Sequence, residues 1–389
     1  MSRQEALLEL VPREPDWKID WKRIESSGLS AWIGKMRNTG QNPIWHGEGD
    51  VWTHTKMVCE ALVSMKEYQR LAGRKQEILF LAALLHDVGK IPCTRMENGI
   101  WISPGHGSVG ARMAREILWL EYGCCGEMAW TEFREAVCTL IRFHSLPVHI
   151  LEQQEPERHL IKIAACGRLA PDFSVEDLCL LARADIKGRI CPDQEEGLEA
   201  AELCRLQAQE YGCLRSPMEF PDDFSEYAYL SGRKICPGQK LYNDTWGEVL
   251  LMSGLPGTGK DTWLRESCGE IPVVSLDEWR SKLNILPEKD QGPVLQAARE
   301  QAKEYLRRKV PFVWNATSLS PAFREKQVQL FTDYHASVKI LYLETEWEEE
   351  KRRNQERKAC VPEKVIRHML GRMTLPERPE AHKVEWRCV

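Results

Sequence analysis

Six residues in the first half of the chain offer metal-ligand chemistry: His54, His86, Asp87, His106, His144 and Asp185. His86 and Asp87 close the apolar run 78-ILFLAALL-85, and Gly89 breaks the helix behind them. Adjacent ligands at a helix terminus can point into one cavity. Mixed imidazole and carboxylate ligation suits a divalent first-row metal with open positions. Such an ion makes water a nucleophile at neutral pH. A single histidine is more often a packed core residue than a ligand; it is the ordered set that points to a metal. His46, His149 and His159 are read as surface or packing residues.

The second half carries a different chemistry. The stretch 253-SGLPGTGKDTW-263 follows the phosphate-cradling pattern G-x-x-x-x-G-K through Gly254, Gly259 and Lys260. It lies between a strand-like run, 248-EVLLMSG-254, and a helical one, 262-TWLRESC-268. In that setting the backbone around Gly254, Gly257, Thr258 and Gly259 can hold phosphate oxygens at a helix N-terminus. Lys260 would reach the β- and γ-phosphates. Asp261 stands where a hydroxyl usually contacts magnesium. Two arrangements avoid repulsion: an outer-sphere contact to Mg2+ with Thr262 on phosphate, or a carboxylate turned away as a helix-start acid. The first is the expectation.

Phosphoryl transfer also needs a base and positive charge around the transferred group. Asp277, in 275-SLDEWR-280, lies where a strand ends and can take a proton from an attacking hydroxyl. Arg280 would hold an acceptor phosphate. Arg353 and Arg357, in 352-RRNQERKACVP-362, are four apart and would share a helix face closing over the donor. Asn315, Thr317 and Arg324 are further candidates for contact with the acceptor.

The elements that must position these residues separate by rhythm. Up to residue 210 apolar residues recur at helical spacing, as in 56-KMVCEALVSM-65, 109-VGARMAREILWL-120 and 175-VEDLCLLARAD-185, with no clear strand. Residues 211–245 are rich in Pro, Gly and Asp and read as a connector with little regular structure. From 246 to 389, short β-rich runs (271-IPVVSLD-277, 310-VPFVWNA-316, 338-VKILYLE-344) alternate with helical stretches, the mark of a parallel α/β domain. The acidic cluster 344-ETEWEEE-350 reads as a solvated helix start. The expected fold is therefore multidomain: all-α first, then α/β around a phosphate loop.

Composition narrows the function. A length of 389 residues exceeds what one core usually organises. Net charge is −5, divided as +2 from Trp246 onward and −7 before it, so a polyanion would bind at local basic clusters. Fourteen cysteines without a C-x-x-C pair fit reduced thiols in a cytoplasm. The opening MSRQEALLELVPREPDW lacks the apolar core of a secretory leader, and no apolar run is long enough for a membrane span.

The ordered H…HD…H…H…D set resembles the HD-domain phosphohydrolase superfamily over roughly residues 40–190. That resemblance implies one metal held by His54, His86, Asp87 and Asp185, and a second held by His106 and His144 with Asp87 bridging. It also implies that Lys90, in HDVGK, steadies the substrate phosphate. The later motifs, GxxxxGK, S-x-D-x-x-R and R-N-x-x-R-x-x-x-V-P, resemble the polynucleotide 5′-kinase family. There the strand-end Asp is general base, the following Arg binds acceptor and the lid arginines bind ATP. Those roles fall on Asp277, Arg280, Arg353 and Arg357.

The combination resembles the bacterial bifunctional end-healing enzymes called HD-Pnk. What this implies is a kinase that uses ATP or another NTP with Mg2+ on 5′-OH ends, and a hydrolase with divalent transition metals on 2′,3′-cyclic and terminal phosphates. The implied substrates are RNA or DNA ends, and the implied functional partner is an RNA ligase. Two other readings stay open at this stage: a nucleotide-salvage protein joining a small-molecule kinase to a nucleotide phosphatase, and a non-catalytic nucleotide sensor.

Overall fold

The structure, a computed structural model, describes residues 1–357 and 360–389. The chain forms two compact units, Met1–Cys125 with Ala129–Met218, and Gly126–Met128 with Glu219–Val389.

The first unit is helical. Its axis is the helix Gly73–Leu85, in which every residue from Ile78 to Leu85 is buried. A helix apolar on all faces must sit inside its neighbours. One neighbour is Val51–Ser64, opened by Asp50, whose carboxylate accepts the N–H groups of Trp52 and Thr53. Another is Val175–Lys187, capped by Ser174. The helix His106–Leu120 crosses the turn after Asp87 so closely that a Cβ on Gly89 would stand 2.0 Å from His106 O. Only glycine allows that approach, and it brings His106 beside Asp87.

One departure from the helical reading is a hairpin, β1 (Arg95–Glu97) against β2 (Ile100–Ile102). Asn98 and Gly99 both take positive φ in its turn, which is the Asn-Gly signature of a two-residue hairpin. The dipeptide was visible in the sequence, but strands of three residues carry no readable alternation.

The second unit is built on a five-stranded parallel sheet: β3 (Glu248–Ser253), β4 (Val273–Ser275), β5 (Val313–Asn315), β6 (Ser337–Glu344) and β7 (Lys383–Cys388), in the order β4-β5-β3-β6-β7. Val249, Leu251, Trp314, Phe331, Val338 and Ile340 are among the residues that fill its core. β3 is central, and the chain goes to one side of it before returning to the other. The C-terminal end of β3 is thus the switch point where such sheets bind ligands. β7 was not anticipated, because KVEWRC is a charged edge strand with little apolar signal.

Within 211–245, expected as a connector, the structure places the helix Asp223–Leu230. Its Glu226 meets the buried Arg378 at 2.6 Å, and its Tyr227 lies against the His382 ring at 4.3 Å. Asp222 caps it, which accounts for the acidic run that had looked like linker. Among the described residues, no helix is long and apolar enough to cross a membrane.

Candidate functional site

In the first unit the structure gathers all six expected ligands. His54 lies one turn into Val51–Ser64, and Asp185 in the last turn of Val175–Lys187. His86 and Asp87 follow Gly73–Leu85, His106 opens His106–Leu120, and His144 follows Met128–Phe143. His86 Nδ1 donates to Ala83 O (2.8 Å) and His144 Nδ1 to Ile141 O (2.7 Å). Both carbonyls lie in the last turn of a helix, where intrahelical donors are missing. One bond therefore ends the helix and fixes the ring. His106 Nδ1 donates likewise to Ser103 O at 2.8 Å. With the proton on Nδ1, each ring turns the Nε2 lone pair inward.

Those inward atoms form two groups that share Asp87. On one side, His86 Nε2 is 3.3 Å from His54 Nε2 and 3.2 Å from Asp87 Oδ2, and His54 Nε2 is 3.0 Å from Asp185 Oδ1. On the other, His106 Nε2 is 3.2 Å from His144 Nε2 and 3.4 Å from Asp87 Oδ1. Ligand atoms roughly 2.0–2.2 Å from one ion stand about 3.0–3.6 Å apart. Both Asp87 oxygens and Asp185 Oδ1 are buried without a hydrogen bond of good geometry, though Lys90 Nζ lies 2.7 Å from Asp87 Oδ2. Orphaned acceptors converging with imidazole lone pairs are what a divalent cation satisfies, so the residues fit a metal centre.

The charge states agree with that fit, because ligation needs ionised carboxylates and neutral imidazoles. Burial would raise Asp87 and Asp185. Lys90 with His86 for the first, and Arg189 with His54 for the second, outweigh it and hold both well below the usual carboxylate range. Burial pushes His144 down to about 3 and also lowers His106. His54 is the exception. Burial opposes its charge, but the nearby carboxylates of Asp185 and Glu48 raise it.

The sequence reading left His46 as a surface or packing residue and passed over Glu48 and Gln41. The structure packs His46 against Glu48 and His54 and adds Glu48 and Gln41 to the surroundings of the site. His46 Nδ1 is 2.9 Å from Glu48 Oε1, and Lys90 Nζ donates to Gln41 Oε1 at 2.7 Å. Their segment, 41-QNPIWHGE-48, has no periodicity that could have marked them. Arg189, bonded to Asp185 Oδ2 at 2.7 Å, was also missed. His149 is exposed, beside Glu152.

In the second unit the phosphate-loop residues stand at the end of β3. Gly254, Gly257 and Gly259 have φ of 145°, 92° and 85°. A Cβ on Gly257 would stand 2.7 Å from Glu350 O, so both conformation and space demand glycine there. Lys260 Nζ donates to Gly254 O (2.9 Å) and Leu255 O (2.7 Å), folding back over the loop. Burial lowers Lys260 to about 8. Thr258 is buried and closes the loop on itself through Leu255 O. The helix Lys260–Ser267 begins here with Gly259 as its cap, so Asp261 is a first-turn acid. Asp261 Oδ1 accepts Asn315 Nδ2 at 2.8 Å, and Thr262 Oγ1 accepts Arg265 Nη2 at 3.1 Å.

Asp277 sits in the first turn of Leu276–Leu283, two residues past β4, with its side chain 67% exposed. Arg280 pairs closely with it, and Arg357 Nη2 is 3.6 Å away. Gln291 accepts Arg280 Nε at 2.8 Å, a partner the sequence did not indicate. Arg353 Nη1 lies 3.1 Å from the Cβ position of Gly259, and Glu349 orients its guanidinium at 2.6 Å. The helix Trp347–Glu356 ends before Arg357, which is extended, so the two arginines do not share a helix face as expected. Residues 358 and 359 of that stretch lie outside the described residues.

Two further expectations change. Arg324 is buried against Glu380 (2.6 Å) and the carbonyls of Ser318 and Thr374, which makes it a structural residue rather than an acceptor contact. The expectation for Thr317 is unaltered, since among the described residues only its backbone carbonyl is engaged, by Gly254 N. The acidic cluster is not uniformly solvated: Glu344 and Glu350 are fully buried, and burial raises Glu350 to about 8.

Comparison with known families agrees with this division. Residues 51–165 match the family model of the HD domain, and residues 249–376 match that of an AAA domain. The chain joins an HD phosphohydrolase domain to a P-loop kinase-like domain.

Proposed function

We propose that this pairing heals broken nucleic-acid ends. The second unit would transfer the γ-phosphate of ATP or another NTP, with Mg2+, to a 5′-hydroxyl. The first would hydrolyse 2′,3′-cyclic phosphate and terminal 2′- or 3′-phosphate on RNA or DNA. The product, 3′-OH with 5′-phosphate, is what a ligase consumes.

The observation that carries the reading is the placement of an exposed, arginine-flanked Asp277 beside the loop of Lys260 in the same chain as the Asp87 ligand cluster. A nucleotide sensor needs no base at the loop, whereas transfer does. In the kinase, Lys260 would shift from the loop carbonyls to donor phosphate. Arg280 and Arg357 would neutralise acceptor and donor charge, and Asp277 would take the hydroxyl proton. In the hydrolase, divalent ions on His54, His86, Asp87, Asp185, His106 and His144 would supply an activated water. Lys90 would bind the phosphate.

The test uses RNA bearing a 5′-hydroxyl and a 2′,3′-cyclic end. Lys260→Ala or Asp277→Ala should abolish labelling from ATP and spare phosphate release; His86→Ala or Asp87→Ala should do the reverse. Labelling of mononucleosides alone would favour salvage, and no labelling of any acceptor despite ATP binding would favour a sensor.

A further inference from the structure

Glu48 is not one of the six ligands, yet its carboxylate touches two rings of the metal site while only 1% exposed. Oε1 lies 2.9 Å from His46 Nδ1 and 2.8 Å from His54 Nδ1, and Oε2 accepts the Ile190 N–H at 2.9 Å. The approach to His54 is oblique, so that nitrogen has no hydrogen bond of good geometry and the contact is mainly one of charge to ring dipole. A neutral imidazole with its proton on Nδ1 presents a lone pair at Nε2. For His54 that atom faces Asp185 and Asp87. For His46 it lies 3.4 Å from Lys90 Nζ.

Lys90 completes the picture. An ammonium has three N–H donors. Here it meets three acceptors: Asp87 Oδ2 at 2.7 Å, Gln41 Oε1 at 2.7 Å and His46 Nε2 at 3.4 Å. Gln41 and His46 hold the ammonium from two sides. The side of the ammonium now paired by charge with Asp87 is the one available to a phosphate oxygen.

We infer that Glu48 is a positioning residue with two tasks: through His54 it aims a metal ligand, and through His46 it holds the Lys90 ammonium for the substrate phosphate. The inference rests on the metal-dependent hydrolase reading of the first unit. It goes beyond that reading by coupling ion retention to phosphate binding through one side chain that contacts neither. The plain structural alternative is that Glu48 only ties its loop to Ile190.

The experiment uses the full chain, stripped with chelator and titrated with Mn2+ by calorimetry, alongside steady-state hydrolysis of bis(p-nitrophenyl) phosphate. Glu48→Gln should weaken Mn2+ binding about 10–100-fold, the range seen when a partner of a ligating histidine is lost. His46→Ala should keep Mn2+ affinity within about twofold and raise KM several-fold. His46→Gln, whose carbonyl can accept from Lys90, should recover part of that KM. Undiminished Mn2+ affinity in Glu48→Gln overturns the inference, as does an unchanged KM in His46→Ala. Equal loss of Mn2+ affinity in both variants also overturns it, because that is the signature of loop packing. Should Glu48→Gln fail to fold, the two His46 variants still decide the lysine arm. If the unaltered protein takes up no Mn2+, the hydrolase reading itself falls; uptake with unaffected variants removes this inference alone.

Discussion

Adding a divalent ion should stabilise the first unit and leave the second untouched. Both Asp87 oxygens and Asp185 Oδ1 are buried without a well-formed hydrogen bond. Asp87 Oδ2 already faces the Lys90 ammonium at 2.7 Å; a buried acceptor left unmade costs about 1–3 kcal/mol, so the other two carry roughly 2–6 kcal/mol that ligation can relieve. The measurable gain is set by mass action, about 2.7 kcal/mol when free ion is 100 times Kd. For a unit of roughly 200 residues each kcal/mol moves Tm by about 2–4 °C, giving a rise of about 5–11 °C. Scanning calorimetry of chelator-treated protein, with and without Mn2+, should show one transition moving. ATP should move the other. Asp87→Asn, which removes the carboxylate common to both ligand groups, should abolish most of the Mn2+-dependent rise. An equal rise in Asp87→Asn, or no rise in the unaltered protein, would refute the assignment of those oxygens to an ion.

Three other perturbations are decisive at single residues. Gly257→Ala adds a methyl 2.7 Å from Glu350 O at a φ of 92°; a left-handed non-glycine residue costs about 1–2 kcal/mol before any clash. ATP affinity by calorimetry should fall at least tenfold while Mn2+ uptake is unchanged. Glu350, raised by burial to about 8, keeps a proton in the folded state that the unfolded chain releases above about 4.5. Stability of the second unit should therefore decline from pH 5 to 8, by at most about 1.4 kcal/mol per pH unit from this group. Glu350→Gln should flatten that decline in urea titrations, and an unaltered slope would place the buried proton elsewhere. Arg324→Ala strands Glu380 and should destabilise the second unit by about 3–5 kcal/mol. Acceptor KM, measured where the variant is still folded, should not change.

Residues whose chemistry is also their sequence signature were legible. The six candidate ligands, which the structure brings together, stand within about a turn of helix ends, where an apolar run meets His, Asp or Gly, and the glycine-rich loop sits between an apolar strand and a helix. The strands buried on both faces were readable for the same reason, since β6 is an almost continuous apolar run. What escaped acts across long separations. Glu48 meets Ile190, and Gln41 meets Lys90, through loops without period. Glu350 looked solvated because it ends a run of acids in which Glu348 is exposed and Glu349 half-buried, yet it faces inward behind Gly257. β7 and the helix Asp223–Leu230 were lost for a related reason: each is held by partners far along the chain rather than by its own pattern.

The bonds from His86 and His144 to the carbonyls three residues earlier have a lasting consequence. The bearing of these two rings is written in peptide geometry, which substitution elsewhere cannot erase. Exchanging either for aspartate would keep a donor atom for the ion but delete the ring proton that seals the preceding coil. Such a swap would therefore loosen scaffold and coordination sphere together, so at these two places the choice of ligand and the fold are a single decision.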